Sequence, residues 1–193
     1  GIITMMFNWT MLSYVGENGV AAVTIIMYVL MFASSLYTGY SYGVAPMISF
    51  YYGEQNFEKL KKLVGISMKV IACISGATVA GSFMLTKPLV SVFARPDNPV
   101  YELAVTGNRI CTAALLFIGF NIFASGMFTA LSNGLVSAIL AFSRSFVFML
   151  IAMAVLPLVL GVNGIWMATP AAELMALALS IFMILKYRKK YGY

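Results

Sequence analysis

Charge is what this sequence has least of. Only 9% of its 193 residues are Asp, Glu, Lys or Arg, whereas a soluble domain carries roughly 25%. So few charged side chains cannot cover a water-exposed surface, which excludes an ordinary soluble domain. Histidine is absent altogether, and with it the commonest catalytic base and metal ligand. No paired-carboxylate site or phosphate-cradling loop takes its place, so the chain is not read as an enzyme and no catalytic or metal-binding residue is assigned. ATP-driven chemistry would need a nucleotide domain on another chain. The only cysteines, Cys73 and Cys111, lie inside apolar runs. They read as small hydrophobes rather than as a disulfide.

What is present is hydrocarbon: 62% of the residues are hydrophobic. Inside a bilayer every backbone amide must be satisfied within the protein, which leaves helices or a closed barrel. Barrel strands alternate in polarity over roughly ten residues. The runs here are two or three times as long and apolar on most sides, so the expected class is an all-α membrane protein. Six spans can be drawn, at about 1–15, 20–50, 63–84, 104–131, 135–160 and 164–185. The connections are short, at 51–62, 86–102, 132–134 and 161–163, so neighbouring spans should pack as antiparallel hairpins. Gly1 already lies inside an apolar run, so a segment upstream of the first, truncated span is expected.

The net charge of +6 is read as a topology signal rather than as a nucleic-acid surface. Lys59, Lys61, Lys62 and Lys69 cluster at one connection, and Lys186, Arg188, Lys189 and Lys190 follow the last span. Basic residues beside spans favour the cytoplasmic side. Both clusters fall on one face, which places the carboxy terminus in the cytoplasm of a multi-pass cell-membrane protein, with a bacterial inner membrane as the expected location. The opposite face has Lys87, Arg95 and Arg109 alongside Glu17, Asp97 and Glu102.

Within the second span, Ser34, Thr38, Ser41, Ala45, Ser49 and Tyr52 step by three or four residues and share a stripe. Gly39 and Gly43 form a small-xxx-small pair that admits a close neighbouring helix. Pro46 removes a backbone donor and should bend the helix. The stripe is either ordinary helix packing or one wall of a water-filled cavity. Asn121, Ser125, Thr129 and Ser132 repeat the pattern in the fourth span, and Asn8 adds a buried amide in the first.

Two ionisable residues lie deep in apolar runs, Arg144 in the fifth span and Glu173 in the sixth. Such residues are costly in lipid and mark a pathway, a proton relay or an internal pair. Counting the helical rise, Arg144 lies roughly 14 Å and Glu173 roughly 18 to 20 Å above the same face. An arginine side chain spans that difference, so the two are expected to pair or to share a cavity, for ion coupling or for structure. Pro170, one turn before Glu173, should distort the backbone there.

Three stretches carry a family resemblance: Tyr42–Gly53 with the basic segment after it, Phe123–Gly134, and Gly161–Glu173 with its glycine–tryptophan–proline–acid order. In their order and spacing they resemble the carboxy-terminal six-helix lobe of the MATE (multidrug and toxic compound extrusion) family, over essentially the whole chain. Arg144 falls where related bacterial members often carry an arginine. The resemblance implies a twelve-helix exporter of two six-helix lobes, with substrate bound between them and proton or sodium antiport driving alternating access. It implies no cofactor beyond the transported coupling ion. Its implied partners are the lipid bilayer, small amphipathic and often cationic organic substrates, and an amino-terminal lobe absent from this chain. The family's sodium-site pattern of acids in the first and fourth helices of this lobe is not matched, because no acid precedes Glu17 and the fourth span offers Asn121. A lipid-linked sugar flippase of the same broader superfamily, and a non-transporting scaffold or channel subunit, stand as the alternatives.

Overall fold

The computed structural model describes residues 1–193. It is helical throughout, with five helices long and apolar enough to cross a membrane and a shorter apolar one before them. Helix α1 (Ile2–Val15) turns at Gly16, whose φ of 82° suits glycine, directly into α2 (Glu17–Gly53). Helix α3 (Phe57–Met84) is followed by the short α4 (Thr86–Ser91). Helix α5 (Pro99–Cys111) runs through one 3₁₀ turn into α6 (Leu115–Ala130), making a single span. Helix α7 (Gly134–Phe142) passes through a π-helical stretch, Ser143–Val147, into α8 (Phe148–Leu160). The last helix, α9, runs Val162–Tyr191.

Two connections are shorter than the sequence suggests. The basic lysines expected in a loop at 51–62 instead lie on the first turns of α3, because the Asn56 side chain caps the helix by accepting from Lys59 N at 3.2 Å. Asn98 likewise accepts from Val100 N at 2.9 Å, and Pro99 sits at the first helical position, so the fourth span starts earlier than expected. The basic tail after 185 continues α9 to Tyr191. Helices α2 and α9 also run unbroken through Pro46 and Pro170. Pro170 cannot donate to the Trp166 carbonyl one turn back. That oxygen instead accepts from the Cys111 thiol at 3.3 Å, which gives this buried cysteine a structural role.

The fourth span is the centre of the bundle. It is 56% buried over its most apolar stretch, against 17% for the fifth span, most of whose side chains the rest of the chain leaves uncovered. One apolar core, holding Phe7, Met11, Ile26, Val105, Ile165 and Trp166, lies toward the α1–α2 turn. A second, holding Ile48, Leu60, Phe123, Phe128 and Tyr191, closes the end that carries the basic clusters. A polar layer lies between them.

Glycine makes this packing possible, though not at Gly39 and Gly43. Those two face open space, with nothing within 4 Å of an added Cβ. The close approaches belong to the fourth span, where Gly107, Gly119 and Gly126 lie against Ile26, Tyr37 and Ser41 of α2. A Cβ on Gly119 would sit 2.5 Å from the Tyr37 ring. Gly119→Ala should therefore lose about 1–3 kcal/mol to overpacking, whereas Gly39→Ala should gain about 0.5–1 kcal/mol of helix stability. Denaturant midpoints of the two variants in detergent micelles check this; equal shifts in one direction would contradict it.

Candidate functional site

The polar layer is assembled from three helices and one irregular turn. Glu173 on α9 is 5% exposed and makes polar contacts through both carboxylate oxygens. Arg144 Nε donates to Glu173 Oε1 at 2.9 Å. Asn121 Nδ2, from α6, donates to Glu173 Oε2 at 2.8 Å and to the Glu173 carbonyl at 2.9 Å. Ser180 Oγ, two turns further along α9, donates to Asn121 Oδ1 at 3.0 Å. The result is one buried chain, Ser180–Asn121–Glu173–Arg144, in which each member fixes the next.

Its geometry follows from local structure. Ser180 and Glu173 are seven residues apart and so share a face of α9. Arg144 lies on the π-helical stretch, a local widening that is often found at functional sites. A buried carboxylate stripped of water needs such partners, since an unpaired charge costs several kcal/mol or more. The guanidinium supplies the opposite charge and Asn121 the second donor.

Two cavities meet at Arg144. One, of about 280 Å³, is bordered by α1, α2, the α5–α6 span, α8 and α9; Phe7, Ile26, Leu30, Met149 and Trp166 line it, with Ser34, Thr169 and Glu173 as polar members. The other, of about 320 Å³, lies between α2 and α6 and is lined by Thr38, Ser41, Tyr42, Ala45, Ser125 and Thr129. The middle of both hydroxyl stripes thus converges on one cavity. Thr38 and Thr129 each also bond back to a carbonyl one turn earlier, at 3.0 and 3.2 Å.

Three of the expected positions do not join this layer. Ser49 Oγ donates to the Ala130 carbonyl at 2.9 Å, an α2–α6 packing bond. Tyr52 packs edge-on against Tyr191, with 5.4 Å between ring centres, in the aromatic plug at the basic end. Asn8 lines an open α1–α2 groove beside Trp9 and Leu12, and its Oδ1 is buried without a partner. The helix-periodic rule groups residues along one stripe but cannot tell how far along it a cavity reaches.

Some partners escape the sequence reading. Ser137 of α7 bonds Thr129 at 2.7 Å and Ser125 at 3.2 Å. The seven-residue spacing from Glu173 could have identified Ser180. A further buried network joins Asn108 to Ser82 and Thr86, at 3.3 and 3.1 Å, with Thr112 on Ser82 at 2.8 Å. No charged group enters it, and it ties α3 and α4 to α5.

The sequence profile of the family described as MatE matches residues 2–156. That stretch includes Asn121 and Arg144 and ends before Glu173. No curated protein matches the chain. Among solved structures, an inward-facing multidrug resistance MATE family transporter of the MOP superfamily has a TM-score of 0.90 at 22% identity, over 100% of this chain and 45% of that one. An outward-facing conformation of such a transporter gives 0.88 at 22%, over 98% of this chain and 43% of that one. The Vibrio cholerae MATE transporter VcmN in its bent form gives 0.88 at 17%, over 99% and 43%. At these identities the likeness is one of fold. The chain spans less than half the length of each of these transporters. A profile match that runs from the first helix into the fifth span makes this chain a member of the MatE family.

Proposed function

We propose that the chain is one lobe of a secondary active exporter, in which proton or sodium antiport drives amphipathic, often cationic organic compounds out of the cell by alternating access. The observation that carries this reading is the Glu173 carboxylate, buried at membrane depth, held by Arg144 and Asn121, and lining one of the two cavities that meet at Arg144. Acids in such positions default to ion pathways. A proton or sodium ion arriving at Glu173 competes with the guanidinium for the same oxygen. Binding of the coupling ion therefore loosens the bond between α9 and the π-helical stretch of the fifth span. Methionine and aromatic walls suit organic cations, which aromatic faces attract.

The remaining half of the machine is a second lobe, with substrate held between the two. The protein sits in a cell membrane, bacterial by this reading, with the basic clusters and the carboxy terminus in the cytoplasm.

Glu173→Gln keeps the shape and an acceptor for Arg144 but cannot take up the coupling ion. In proteoliposomes of the full-length transporter, the variant should lose dye efflux driven by a proton or sodium gradient. Unchanged efflux with unchanged pH dependence would remove Glu173 from the mechanism.

A further inference from the structure

Arg144 is anchored by only one of its nitrogens. Its Nε serves Glu173, and neither Nη atom bonds any other group of the protein. Neither is sealed from the cavities, and 24% of the side chain is exposed. The guanidinium therefore presents its outer edge, a fork of two parallel N–H donors, free of partners within this chain.

The surroundings of that fork favour an acceptor. The cavity between α2 and α6 has several hydroxyls and no carboxylate. Ser41 is 3% exposed, lines that cavity, and makes no side-chain hydrogen bond to the protein. A buried hydroxyl in a helix ordinarily bonds back to its own carbonyl ladder, whereas the Ser41 hydroxyl, beside Gly126, keeps its donor free of protein partners. On the other side of Arg144 lies the largely apolar cavity, bordered also by Glu173 and large enough for an aromatic ring system.

We infer that the free edge of Arg144 is a subsite for the carboxylate of an amphipathic organic substrate, whose apolar body occupies the neighbouring cavity. A planar carboxylate matches a guanidinium edge with two parallel hydrogen bonds. Arg144 is the only cation lining either cavity and Glu173 already balances it, so the fork holds a monoanion by directed hydrogen bonds rather than by net charge and disfavours a dianion. Zwitterions with a cationic group elsewhere satisfy this site as well as simple acids do. The inference rests on Arg144 lining the substrate path of the proposed exporter, but it concerns equilibrium binding, which does not require a gradient.

The test uses the full-length transporter in detergent, titrated calorimetrically with 2-naphthylacetic acid, its methyl ester and 2-naphthyl phosphate. The acid should bind roughly tenfold tighter than the ester, the scale of a charge-assisted hydrogen bond. Arg144→Gln should erase that preference, read as the ratio of acid to ester affinity within the variant. Glu173→Gln should raise affinity for the acid, because the fork then carries an uncompensated charge; a variant that had merely lost its structure would bind both ligands worse. Equal binding of acid and ester by the wild type, a preference that survives Arg144→Gln, or tighter binding of the phosphate would each overturn the assignment. Loss of gradient-driven transport in Glu173→Gln with the acid preference retained bears on the exporter reading alone.

Discussion

Replacing Arg144 by methionine should be the most destabilising single change in the polar layer. It leaves the Glu173 carboxylate buried with Asn121 as its only remaining side-chain partner. Removing one member of a buried ion pair typically costs about 3–5 kcal/mol, because the other charge is stranded. The informative comparison is the double variant Arg144→Met/Glu173→Met. Exchanging both members for apolar side chains of similar volume is often neutral, or stabilising by roughly 1–4 kcal/mol. Asn121 would lose one acceptor but keep its bond to the carbonyl of residue 173. The double variant should therefore recover most of the lost stability while remaining inactive in transport. Thermal unfolding in detergent, run beside proteoliposome efflux, separates the two quantities. If the double variant melts as early as the single one, the pair is part of the stabilising framework, and its functional reading loses its main support.

Gly164→Ala should have the next largest effect, for a reason unrelated to charge. Gly161, with φ of 58°, is the single residue between α8 and α9, so the two helices separate from a common point. Three residues later, a Cβ on Gly164 would run into the Leu156 carbonyl, with the Pro157 nitrogen 2.8 Å away. At Gly119 the obstacle is a buried aromatic side chain rather than backbone. At Gly164 it is backbone held in a helix, which cannot move without opening the hairpin. Overpacking of this kind costs about 1–3 kcal/mol, and the upper end is expected. An unfolding midpoint within error of wild type would show that the hairpin is looser than its geometry implies.

Much of this architecture was legible in the composition and in the positions of a few residues. Long uncharged runs dictate helices, because hydrocarbon offers the backbone no other partner. Arg144 and Glu173 come together on a count of helical rise, since the height of a residue along a span depends only on where the span begins. Azimuth was harder. The sequence puts the small-residue seam at Gly39 and Gly43, but those glycines face away from the rest of the chain, and the seam belongs to Gly107, Gly119 and Gly126. A lone glycine has no signature that says which neighbour it faces. Similarly, the hydroxyl stripe of α2 is one line on the helix, yet its lower part, at Ser49 and Tyr52, meets α6 and the aromatic plug rather than a cavity. Where a stripe changes neighbours is set by helix crossings, and those are not written in spacing.

The π-helical stretch at Ser143–Val147 gives Arg144 a dependence that no rotamer can supply. A π turn accommodates extra backbone within an otherwise α-helical rod, so α7 and α8 are out of phase with each other. Each residue of helical phase is worth about 100° of rotation. Were the widened turn to tighten into regular α-helix, everything before it would swing around the axis relative to everything after it. Arg144 lies in the seam between these two phases. The direction of its guanidinium toward α9 is thus tied to the winding of the fifth span, and the ion pair joins that winding to α9.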